Sequence, residues 1–158
     1  MARYAEGTTV PAEVSQAEVR AILARHGVNH FAMADTPAGA AVQFIYAGLP
    51  YRFEVARPDV DELRAEYQAR RSKGMAYDLD YASQAEREWK RRWRARLLWL
   101  KATLEFAAGE GEGETSRMLL PFLVLPDGQT LERWTAKQLP DAFANGVMPP
   151  LQLTGGKR

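Results

Sequence analysis

At 158 residues, with 46% apolar and 26% charged side chains, the chain has the composition of one globular domain able to bury a core without staples. It contains no cysteine, which excludes a disulfide scaffold, a cysteine-ligated zinc and a thiol nucleophile together. The formal net charge of +1 excludes a polycation, so any attraction for an anionic polymer has to come from local segregation of charge.

The first fourteen residues lack the apolar stretch of a signal peptide, and no run approaches membrane-spanning length; the expectation is a soluble, cytoplasmic protein with no membrane partner. Thr8, Thr9 and Pro11 predict an extended start. Ser15 and Glu18 have the spacing of a capping box and predict that a helix begins there. Its apolar face is Val19, Ile22, Leu23 and His26, and Gly27 is the residue expected just past its end.

Three strands of an antiparallel meander follow. His30–Asp35 leads into the turn Thr36-Pro37-Ala38-Gly39, and Ala40–Tyr46 is apolar on both faces, as suits a central strand. After Ala47-Gly48-Leu49-Pro50, the strand Tyr51–Ala56 alternates Tyr51, Phe53 and Val55 against Arg52 and Glu54. Asp59–Arg71 suits a short polar helix within a longer loop, 57–82, whose later part holds Gly74 and Asp78-Leu79-Asp80.

The stretch from Ser83 to Ala107 reads as one long helix, opened by a second capping box, Ser83 and Glu86. At about 100° per residue, Trp89, Trp93, Leu97, Leu100 and Leu104 fall on one stripe, the pattern of a helix lying across the sheet. Arg87, Lys90, Arg91, Arg94 and Lys101 share the adjacent arc. Most charged helix faces alternate signs for mutual support, and this one largely repeats a single sign. Two readings of the arc stand side by side: a phosphate-binding face, or a solvated face paired with Asp59, Asp61, Glu62 and the Gly109–Glu114 acidic segment. That segment predicts a flexible linker. Beyond it, Arg117–Leu125 is apolar and suits a turn of helix or a strand around Pro121, Pro126-Asp127-Gly128 predicts a turn, Thr130 caps a helix through Gln138, Pro140 begins another turn, and Gly146 ends it. The whole reads as a single α+β domain over 1–146, with 147–158 an extended tail.

Chemistry is sparse. His26 and His30 are separated by the helix-ending Gly27, which argues against a shared metal. Asp78 and Asp80 are a weak Mg²⁺ motif, and no nucleophile elbow, zinc-protease helix or P-loop occurs. The expectation is a protein without catalytic residues, metal or cofactor.

Arg3-Tyr4-Ala5-Glu6-Gly7-Thr8, the Arg/Trp helix, Leu123-Val124-Leu125-Pro126-Asp127-Gly128-Gln129-Thr130 and Met148-Pro149-Pro150-Leu151 together resemble a family of small proteins encoded by tailed phages and prophages. The chain departs from that family at Gln129, where an arginine is usual, and in its Gly/Glu segment. The resemblance implies phage origin, the host cytoplasm, and work near replication and recombination; it transfers no catalytic residue.

Three functions follow as expectations. The first is nucleic-acid binding, single-stranded DNA favoured, with Arg87, Lys90, Arg91, Arg94 and Lys101 on phosphates and Arg52, Tyr46 and Tyr51 at the sheet edge. The second is inhibition of a host protein such as RNA polymerase or a defence nuclease, since Trp and Arg are enriched at interface hot spots. The third is self-assembly into a homo-oligomer through Trp99 and Phe106.

Overall fold

The computed structural model describes residues 4–71, 80–111 and 113–147. Its element order is α1 (Ala12–Arg25), β1 (His30–Thr36), β2 (Gly39–Tyr46), β3 (Leu49–Ala56), α2 (Val60–Arg71), α3 (Tyr81–Glu110), α4 (Glu114–Leu119), a 3₁₀ turn (Leu120–Phe122) and α5 (Leu131–Asn145). The sheet is an antiparallel meander in the order β1-β2-β3, an α+β arrangement with the expected strand at its centre.

Its inner face carries Val42 and Phe44 of β2 and Tyr51, Phe53 and Val55 of β3, all buried against the stripe of α3. Trp89, Trp93, Leu97, Leu100 and Leu104 are at most 5% exposed, on one uninterrupted helix. Burying side chains of this size is worth roughly 1.5–3 kcal/mol each, so the stripe anchors the domain. The first helix lies beside α3 and adds Val19, Ile22 and Leu23 to the same core.

Helix starts depart from the two predicted capping boxes. The first helix opens a turn early, at Ala12 after Pro11, whose fixed φ suits helix entry. Ser15 is therefore an interior residue, fully buried with its hydroxyl unpaired among the described residues, and Glu18 bonds Arg94 instead. The long helix opens at Tyr81, because Asp80 takes the cap and accepts from the Ala82 and Ser83 amides and the Ser83 hydroxyl. Glu86 pairs with Lys90 instead, at 3.6 Å.

The hydrogen bond from the Ser83 hydroxyl is the leading reason the Asp80 carboxyl titrates below its usual range. A carboxylate with a depressed folded pKa stabilises above its unfolded pKa and ceases to as pH falls through the folded one. Asp80→Ala should accordingly lower the thermal midpoint at neutral pH and make progressively less difference as the pH falls through the folded pKa of Asp80. Melting curves of the two proteins across that range check this.

Two further boundaries are corrected. The long helix continues through Gly109 and Glu110, and Glu114 opens α4, so both ends of the segment read as a linker are helical. Pro140 sits inside α5; the helix forgoes one amide donor there and runs on to Asn145 before Gly146 ends it in the left-handed region. The apolar 117–125 stretch is α4 followed by the 3₁₀ turn, and then a return to the sheet. Leu123 bridges Tyr51, and the Val124 amide donates to the Pro50 carbonyl at 2.8 Å. The predicted cap at Thr130 holds, its hydroxyl accepting from the Arg133 amide. The polar helix Val60–Arg71 forms within the stretch read as a loop, and the remainder, 72–79, lies outside the described residues, as does the tail from 148.

Candidate nucleic-acid interface

Five cations of the predicted arc leave α3 on one side, and their surroundings sort them into two kinds. Arg91 is bound. It donates twice to Glu88, at 2.8 and 2.7 Å, and once to the Tyr4 carbonyl at 3.1 Å. Glu88 is 7% exposed and also accepts from Arg92, which reaches the Ala56 carbonyl at 2.8 Å. The hydrogen bonds to Glu88 hold Arg91 protonated more firmly than a free guanidinium. This cluster ties the N-terminal segment, the end of β3 and α3 together, so Arg91 is structural and not a free phosphate contact.

The other four are available to varying degrees. Lys90 lies 3.6 Å from Glu86, and Arg94 bonds Glu18 at 3.0 Å. Surface pairs like these are worth about 0–1 kcal/mol, so either cation can exchange its carboxylate for a phosphate at small cost. Arg87 and Lys101 have no ion pair or side-chain hydrogen bond among the described residues. The partners expected for the arc, Asp59, Asp61 and Glu62, are not the ones used: Asp59 caps α2 and Asp61 bonds Arg64.

Arg87, Lys90, Arg94 and Lys101 form a row about 21 Å long at 1.5 Å per residue. At its N-terminal end the row borders a cavity of about 540 Å³, lined by Thr8, Thr9, Gln84, Arg87 and Lys90 among others. Two hydroxyls and an amide beside two cations make a lining that can hydrogen-bond and neutralise an oxyanion. Thr8, Thr9 and Gln84 escaped sequence reasoning because nothing local places the N-terminal segment beside α3.

The sheet-edge candidates fare less well. Tyr51 is 1% exposed, stacked on Phe44 at 5.7 Å, which removes it as a base contact. Its place on the inner face beside the Leu123 bridge is the reason. Tyr46 is half-buried against the core. Arg52 faces the opposite side but spends one nitrogen on the Gly128 carbonyl at 2.8 Å and another near Glu54, at 3.6 Å. Trp99 packs edge-on against Phe122 at 5.0 Å, so of the predicted assembly contact only Phe106 is openly exposed.

Arg96 falls outside the predicted arc because it projects from the opposite flank of the apolar stripe, towards Trp99. Its guanidinium lies 5.4–5.7 Å from the rings of Phe53, Trp99 and Phe122. Burial shifts its titration downward, the aromatic faces compensating part of the lost hydration.

Among the described residues, no three His, Asp or Glu side chains gather as metal ligands. His26 lies 4.0 Å from Glu105, while His30 is opposite Ile45 in the sheet. Asp78 lies outside the described residues. No described helix is long and apolar enough to cross a membrane. Comparison with protein-family models, with curated proteins and with solved structures gives no match.

Proposed function

We propose that the protein is a non-enzymatic nucleic-acid-binding protein, with single-stranded DNA the favoured ligand, serving phage replication or recombination as the resemblance implies. The observation that carries this reading is the α3 row Arg87-Lys90-Arg94-Lys101 beside the polar cavity, with Arg87 and Lys101 unpaired among the described residues. One row of cations on one helix follows one phosphate backbone, which favours a single strand over a duplex.

Each phosphate neutralised releases condensed counterion, so four contacts predict a salt slope of about −3, at about −0.7 per contact for a single strand. The double substitution Arg87→Glu and Lys101→Glu should weaken binding of all sequences alike and leave the fold intact, since both side chains are exposed and unpaired among the described residues. Fluorescence anisotropy with labelled oligonucleotides over a salt series checks both. Binding indifferent to salt and to the substitutions rejects the row as the site.

One observation favours the second reading, an inhibitor of a host protein. The helix α5 touches chiefly the 3₁₀ turn and leaves Phe143 84% exposed, one helical turn beyond Leu139, which with Leu120, Pro121 and Leu131 lines an apolar groove. If Phe143→Ser abolishes capture of a host protein while oligonucleotides never bind, the inhibitor reading replaces the first.

A further inference from the structure

We infer that two copies of this chain join through β1, edge to edge, into a continuous six-stranded sheet. Six of the seven residues of β1 are exposed, on both faces, and its outer edge is unpaired among the described residues. Even the inner-face Phe31, paired with the buried Phe44, is 37% exposed. The strand pairs with β2 without a bulge and carries neither lysine nor proline, the usual devices that keep an edge from pairing.

The geometry selects a register. The two-residue turn Pro37-Ala38 closes on the pair Thr36 and Gly39, which in such a turn is hydrogen-bonded. Hydrogen-bonded and non-bonded pairs alternate along an antiparallel ladder. Phe31, Met33 and Asp35 therefore turn their backbone N–H and C=O groups to the free edge. A two-fold axis at Met33 sets Phe31 of each copy opposite Asp35 of the other and satisfies all three residues of both strands. It opposes no like charges: His30 meets Thr36, and Ala32 meets Ala34.

Charge complementarity identifies the occupant as a second copy. The Arg20 guanidinium lies 5.4 Å from the Phe31 ring and has no carboxylate partner among the described residues. Directly opposed side chains in a sheet are about 4.5–5.5 Å apart at Cβ. Pairing thus delivers Asp35 of the second copy to Phe31, beneath Arg20. Within its own chain Asp35 is 56% exposed and accepts from Arg57 at both oxygens, at 3.1 and 3.4 Å, and each oxygen keeps a further lone pair for the second cation. An isologous interface repeats the contact twice.

Light scattering coupled to size exclusion, over a dilution series, should show the full chain as a concentration-dependent dimer. Met33→Pro removes the central outward N–H without touching the β1–β2 ladder, and should give a monomer with an unchanged circular dichroism spectrum. Arg20→Asp sets two acids together at both ends and should weaken dimerisation at least about tenfold, or 1.4 kcal/mol; adding Asp35→Arg should recover most of it. The charge exchange keeps the test valid if Met33→Pro fails to fold. A wild-type monomer at every concentration overturns the inference, and so does a dimer unmoved by both sets of substitutions.

Discussion

Trp93→Ala is expected to produce the largest loss of stability of any single change in this chain, about 3–5 kcal/mol. That is a large share of the roughly 5–15 kcal/mol that holds a domain folded. Trp93 is fully buried at the centre of the α3 stripe, edge-on to Trp89 with ring centroids 5.8 Å apart. Truncation leaves a cavity between rigid neighbours, and a close-packed interior collapses into it only in part. The indole N–H, however, has no hydrogen-bond partner among the described residues. An unpaired buried donor costs about 1–3 kcal/mol. Trp93→Phe, which keeps a ring and removes the donor, should therefore cost distinctly less than Trp93→Ala. Urea unfolding reads both as shifts in midpoint at constant slope. Equal losses for the two substitutions would show that the N–H is bonded in solution.

Glu88→Ala is the second. Removing one member of a fully buried ion pair costs about 3–5 kcal/mol because a charge is stranded. Here Arg91 and Arg92 keep 19% and 33% side-chain exposure, so water reaches them and the expected loss falls to about 2–3 kcal/mol. Glu88→Gln keeps an acceptor and the volume, and should lose less. The Arg91 and Arg92 bonds to the Tyr4 and Ala56 carbonyls depend on Glu88 for their aim. Hydrogen exchange in Glu88→Ala should accordingly rise first in the N-terminal segment and at the end of β3. Loss of stability without that local signature would assign Glu88 a role confined to α3.

Local periodicity determined much of this protein. The α3 stripe, the alternation of β3, the Thr130 cap and the left-handed glycines at 27 and 146 are all readable in short windows, because burial on one face and backbone sterics act over a few residues. What the cations do was settled elsewhere. Arg94 meets Glu18 from 76 residues away, and Arg91 meets the Tyr4 carbonyl from 87. A helical wheel shows which side a charge leaves, not what another element brings to it. The same holds for Tyr51, buried where Leu123 returns to the sheet, and for Ser15, whose capping pattern yielded to an earlier start at Pro11. Caps and charges are settled by whichever partner lies nearest in space at the least desolvation, and only the packed chain supplies that distance.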